Sequence, residues 1–199
     1  MSTDLDLIAA NLTAFYDFSK KIVIHVGAGG GQLIGYASSC RKVVAVDNDV
    51  SALERLEQRV ADLALQKTVS VVACDFYDLE LPGDVVLFEF CLHEMRDSAA
   101  AIDLARAMAE DVVVIDHLPE SRWSWYANED KAVAATWKAV VAKGTRTMQS
   151  YEAVQKFDDY AALQAKFASL GDESLRRIGE LRDRTAIEIQ MPYGIALLK

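Results

Sequence analysis

The hydrophobic positions of this chain change period along its length. Between residues 4 and 18, Leu5, Ile8, Leu12, Phe15 and Tyr16 recur at helical spacing and predict an amphipathic helix. Ile22, Val23, Ile24 and Val26 then form a short β-branched run, which suits a strand buried on both faces. The alternation repeats. A second apolar run spans residues 42–46, a helical face follows at Val50, Leu53, Leu56, Val60 and Leu63, and a β-branched strand occupies 68–73. A fourth strand is predicted over 85–88, a helix over 97–110 with Ile102, Ala105, Met108 and Ala109 inward, and a fifth strand over 112–115. Strands alternating with helices predict a doubly wound α/β sheet that is mostly parallel.

The remainder reads differently. Val133, Trp137, Val140 and Val141 mark a helix within 127–143, Tyr160, Leu163, Phe167 and Leu170 mark another that Gly171 stops, and a third short helix is predicted over 173–182. Residues 185–191 alternate, Pro192-Tyr193-Gly194 turns, and 195–198 is continuously apolar, a pattern that predicts a closing hairpin. The expectation is therefore one domain over 1–199, with an N-terminal helix inside 1–20 and a helical insertion or cap over 119–184.

Composition narrows the class. Among 199 residues, 52% are hydrophobic and 26% charged, enough apolar content for a sizeable core and too much for long disorder. The formal net charge of −9 argues against a phosphate-neutralising surface, so no nucleic-acid partner is expected. The N-terminal MSTDLDL lacks the basic and apolar regions of a secretory signal, and no run approaches the roughly 18–20 apolar residues that span a bilayer. No membrane partner and a cytoplasmic location are expected. Cys40, Cys74 and Cys91 are odd in number and form no C-x-x-C, which reads as reduced thiols.

Candidate chemistry gathers at predicted strand ends. After the first strand comes Gly27-Ala28-Gly29-Gly30-Gly31, a loop that lets a ligand approach the backbone and its free N–H groups. The dinucleotide spacing G-x-G-x-x-G fails, because its third glycine would fall on Gln32 or Ile34. What stands instead is G-x-G-x-G at Gly27, Gly29 and Gly31. Asp47 closes the second strand and can accept two hydrogen bonds from a ribose diol, with Asn48 beside it. The third strand ends in Cys74-Asp75-Phe76, and the fourth runs into DVVLFEFCLHEM, with Glu89 at its carboxyl end followed by His93 and Glu94.

This arrangement resembles the class I S-adenosylmethionine-dependent methyltransferases of small-molecule type, over 21–117 and loosely in the C-terminal hairpin. The resemblance implies a Rossmann-like, doubly wound, mostly parallel seven-stranded sheet with an antiparallel last strand and the helical insertion between strands 5 and 6. It implies S-adenosyl-L-methionine as cofactor, with Gly27, Gly29 and Gly31 at the methionine end, Asp47 and Asn48 on the ribose, and Asp75 and Phe76 on the adenine. The segment AFYDFSKK is similar to an entry region whose tyrosine, here Tyr16, reaches the cofactor. The absence of N-P-P-Y and D-P-P-Y turns the expected acceptor away from nucleic-acid bases. One departure is His25, which stands where the family carries an acid two positions before the first glycine; Glu89 is the candidate to compensate.

The reaction implied is transfer of a methyl group to an O, N, S or C nucleophile of a small molecule. His93 and His117, just past adjacent strand ends, are the general-base candidates, because imidazole titrates near neutrality. Trp123, Trp125 and Tyr126 either wall an aromatic acceptor or pack a helix start. Glu89, His93, Asp116 and His117 match no recognised metal-ligand spacing, so no metal is expected. Because of His25, a catalytically inactive protein that binds the cofactor or its demethylated product as a sensor or partner subunit is the alternative.

Overall fold

The computed structural model describes residues 2–198. After β1 (Ser2–Thr3) and α1 (Leu5–Phe15) come β2 (Ile22–Val26), β3 (Lys42–Asp47), α2 (Val50–Asp62), β4 (Val69–Ala73), β5 (Val85–Glu89), α3 (Ser98–Met108) and β6 (Asp111–His117). The chain continues through α4 (Arg122–Tyr126), α5 (Asp130–Lys143), β7 (Thr145–Tyr151), β8 (Val154–Asp159), α6 (Tyr160–Phe167), α7 (Asp172–Ile178), β9 (Thr185–Gln190) and β10 (Tyr193–Leu198).

Seven strands form one sheet in the order β4-β3-β2-β5-β6-β10-β7. The first five in that order run parallel, and β10 lies antiparallel between β6 and β7. The β-branched runs occupy its centre because both faces are covered. Successive residues of β2 enter opposite cores, Val23 with Ile8, Leu12 and Leu56, and Ile24 with Val86, Phe88 and Ile102. Aspartates start three helices by accepting backbone N–H groups: Asp49 for α2, Asp97 for α3 and Asp159 for α6.

Two expectations are corrected. The C-terminal hairpin does not form. Residues 185–190 do make a strand, but β9 pairs with β8, and β8 with β1, in a separate three-stranded antiparallel sheet. The sixth strand of the main sheet is β7, whose sequence TRTMQSY carries no apolar alternation because it is an exposed edge strand packed on one side only. The insertion over 119–184 is accordingly not all helical: its first half holds α4 and α5, and its second half holds β7 and β8 as well as α6 and α7. The glycine loop leads into a short 3-10 helix, Ile34–Ser39. No helix among the described residues is long and apolar enough to cross a membrane.

Candidate functional site

The parallel strands end together on one edge of the sheet, where the connecting loops leave a cleft. A narrow lobe of about 130 Å³ is bordered by Asp47, Asn48, Cys74, Asp75, Phe76 and Met95. A wider lobe of about 450 Å³ adjoins it, and Gly27, Asp47, Asn48, Cys91 and Glu94 border both. The wider lobe runs on past Glu89, Phe90, His117 and Trp123 to Leu5 and Ile8 of α1, with Gln155, Lys166 and Met191 opposite.

The glycine loop owes its path to two conflicts that only glycine avoids. At Gly27 (φ +71°) a Cβ would lie 2.4 Å from Cys91 Cβ and Sγ, so the loop crosses the end of β5 with no room for a side chain. At Gly31 (φ +74°) a Cβ would meet Leu56 Cδ1 at 2.6 Å. Gly31 therefore seats the loop on α2 and does not border the cleft. Gly29 differs: its φ is +48°, it borders the wider lobe, and a Cβ there would meet nothing nearer than 3.7 Å.

Asp47 locks this loop. Its Oδ2 accepts Gly29 N–H at 2.8 Å and its Oδ1 accepts Asp49 N–H at 3.0 Å. Each oxygen keeps a second lone pair, and the residue borders both lobes, which suits a vicinal diol. Asp75 accepts Tyr77 N–H at 2.9 Å, and Phe76 packs edge-on against Phe88 while bordering the narrow lobe. The donor set fits S-adenosyl-L-methionine: a cradle of bare backbone, an acid for a diol, and an aromatic face beside an acid in a lobe of its own.

His25 is fully buried beneath the cleft and reaches it only through Glu89. Its Nε2 lies 2.7 Å from Glu89 Oε2, out of line for a hydrogen bond. A carboxylate therefore stands one strand over from His25, on β5, with its oxygen beside the imidazole.

Tyr16 lies at the opposite edge of the sheet. The eleven residues of α1 extend about 16 Å, from Leu5 at the cleft to the amino ends of the strands. There Tyr16 Oη donates to Asp111 Oδ2 at 2.5 Å, and burial with that carboxylate raises the phenol pKa. The α1 residues at the cleft are Leu5 and Ile8, legible in the sequence only as part of an apolar stripe.

The two histidines divide. His93 does not border either lobe. Its Nδ1 pairs with Asp116 Oδ1 at 2.7 Å, and its Nε2 faces Glu129 Oε2 at 3.4 Å. Burial alone would lower its pKa, but the hydrogen bond to Asp116 and the negative charges of Asp116 and Glu129 prevail and raise it to about 10. A group protonated at neutrality is not a general base there. His117 borders the wider lobe against the ring of Phe90, with ring centroids 4.9 Å apart. Burial lowers its pKa to about 4 against the pull of Asp116, and its Nδ1 has no hydrogen-bond partner. His117 is therefore neutral at neutrality.

Of the aromatic trio only Trp123 borders the cleft, parallel to Phe157 and edge-on to Phe167. Trp125 turns outward beneath Arg122 and Arg177, and Tyr126 donates to Glu180. The five-residue helix α4 sends successive side chains in different directions, so three neighbours cannot share one wall. Sequence reasoning also missed Phe90, Cys91, Met95 and Met191. Phe90 adopts φ +47°, which no composition signal announces.

Residues 24–118 match the family model described as "Methyltransferase domain". No curated protein matches the chain. Among solved structures, the YcgJ protein of Bacillus subtilis superposes with a TM-score of 0.70 at 12% identity, covering 98% of this chain and 97% of that one. The precorrin 8w decarboxylase of Methanobacterium thermoautotrophicum gives 0.61 at 12% identity, covering 97% and 89%. Magnesium protoporphyrin IX methyltransferase of Synechocystis PCC 6803, solved with S-adenosylhomocysteine bound, gives 0.57 at 14% identity, covering 97% and 81%. These identities establish a shared fold.

Proposed function

We propose, on the premise that residues 24–118 belong to the class I S-adenosyl-L-methionine-dependent methyltransferase family, that this protein methylates an O, N, S or C nucleophile of a small molecule. The observation that carries the small-molecule reading is the shape of the cleft. A lobe suited to the nucleoside opens into a larger, partly roofed cavity of a size that encloses one compact acceptor. The net charge of −9, and the carboxylates of Asp47, Asp49, Glu89 and Glu94 along the cleft, disfavour a polyanionic substrate.

S-adenosyl-L-methionine supplies an electrophilic methyl group when bound. Everything else falls to the chain. The N–H groups of Gly27, Ala28 and Gly29 are bonded to Val46 and Asp47, so the loop would serve the methionine end by close approach to its Cβ-free backbone, with Asp47 on the ribose hydroxyls, Asn48 beside it, and Asp75 and Phe76 on the adenine. Glu89, backed by His25, would face the ammonium group. Trp123, Phe90, Ile8 and Met191 would hold an apolar acceptor and exclude water, so that binding energy is spent on orientation. His117, neutral, accepts a hydrogen bond from the acceptor's nucleophilic group and fixes its direction. With a pKa near 4 it orients better than it removes a proton.

Calorimetric titration with S-adenosylmethionine, S-adenosylhomocysteine and NADH, side by side, tests this reading. Micromolar binding of the sulfur nucleosides and none of NADH supports it. Binding of S-adenosylhomocysteine alone, with no turnover of any acceptor, would favour the sensor alternative, and failure of both sulfur nucleosides would remove the cofactor assignment.

A further inference from the structure

We propose that His93, Glu94 and Glu129 form a binding site for one divalent transition-metal cation, set in the wall of the cleft. The three residues come from two places. His93 and Glu94 lie on the 3-10 turn Leu92–Glu94 that follows β5. Glu129 caps the start of α5, just after Asn128, which adopts a φ of +65°. One donor atom from each lies within 4.8 Å of the others.

A buried nitrogen points to a ligand here. The His93 side chain is 2% exposed, yet its Nε2 has no hydrogen-bond partner, and a cation bound there takes the place of the proton this nitrogen carries between the two glutamates. That nitrogen faces Glu129 Oε2 at 3.4 Å and Glu94 Oε1 at 4.0 Å. Ligands about 2.0–2.2 Å from a common metal are themselves about 3–3.6 Å apart, so Glu129 already stands at ligand spacing. Glu94 is a 66% exposed side chain, free to close the remaining gap by rotation.

The other ring nitrogen is held as metal-ligating histidines usually are. Nδ1 faces Asp116 Oδ1 at 2.7 Å, and Asp116 is fully buried. Asp116 is itself fixed by the backbone N–H groups of His93, at 3.2 Å, and His117, at 2.8 Å. It therefore acts as the orienting carboxylate and is not free to serve as a ligand. One imidazole with two carboxylates suits Zn²⁺, Mn²⁺, Fe²⁺ or Co²⁺ better than Ca²⁺ or Mg²⁺, which prefer oxygen alone.

The placement has a functional consequence that rests on the methyl-transfer reading, whereas the cation site does not. Glu94 borders both lobes of the cleft. A cation held there would offer its remaining coordination positions to an acceptor that carries an oxygen donor.

The test uses the full chain, stripped with chelator and titrated with Co²⁺, whose visible absorption reports coordination, followed by displacement with Zn²⁺. One equivalent should bind at micromolar or lower concentration. Glu129→Gln and Glu94→Gln, both at partly exposed positions and so compatible with folding, should each weaken binding at least tenfold, and His93→Gln should abolish the spectrum. Absence of saturable binding would overturn the proposal, as would equal affinity in the two glutamine variants and the parent protein. S-adenosylmethionine titrated into the same stripped preparation separates a failure here from a failure of the cofactor reading.

Discussion

Replacing Asp47 by Asn should separate the cofactor site from the fold more sharply than any other change. The carboxylate accepts two backbone hydrogen bonds, from Gly29 at 2.8 Å and Asp49 at 3.0 Å, one on each oxygen. An amide has a single acceptor oxygen, so one of those N–H groups would face an NH₂ donor. Hydrogen bonds to charged groups contribute about 1.5–3 kcal/mol each, and this half-buried loop stays open to water, so the stability loss should be about 1–3 kcal/mol. Binding loses more. A diol seated on the carboxylate gives two further charge-assisted bonds; losing most of them amounts to about 3–4 kcal/mol, or roughly 10²–10³ in affinity. Calorimetry with S-adenosylmethionine on the variant, checked for a native-like melting transition, reads both quantities. A folded Asp47→Asn protein whose affinity falls less than about threefold would refute the assignment of Asp47 to the ribose.

Three other outcomes are expected. Gly27→Ala should lower stability by about 2–4 kcal/mol by scanning calorimetry, since its Cβ would overlap Cys91 at a positive φ; a change below about 1 kcal/mol would mean the loop can shift away from β5. Tyr16→Phe should cost about 1 kcal/mol in denaturant unfolding through the bond to Asp111, while cofactor affinity stays within twofold; a tenfold loss of affinity would return Tyr16 to the site. His117 has a depressed folded pKa of about 4 against about 6.5 unfolded, so the unfolded chain takes up its proton first on acidification. Its contribution is complete above pH ~6.5 and falls by up to about 3 kcal/mol towards pH 4; His117→Gln should flatten this slope between pH 6.5 and 5, and an unchanged slope would mean that another group carries it.

The fold was legible where burial made the sequence monotonous. Strands β2, β3, β5 and β6 are covered on both faces, so β-branched runs had no other use, and Asp47, Asp75 and Glu89 followed as the polar residues that end or follow such runs. Legibility stopped where a segment is half exposed. The β7 edge strand reads as a polar linker, and β9 alternates correctly while giving no sign of which strand it joins. The histidines show a different limit. His93 and His117 look alike in sequence, and their charge states part only because Asp116 Oδ1 lies 2.7 Å from one ring while burial dominates at the other. Tyr16 was misplaced because helical periodicity gives the face of α1 but not which end of the sheet its last turn reaches.

The two lobes of the cleft also differ in where along the chain they come from. Every residue bordering the narrow lobe falls between Val26 and Met95, within a succession of adjoining strand–helix units. The far wall of the wider lobe is assembled from Leu5 and Ile8, from His117 and Trp123, and from Gln155, Lys166 and Met191. On the proposed reading, acceptor choice would drift through segments that lie outside the nucleoside lobe. A library confined to those positions would explore new substrates on an unaltered donor platform.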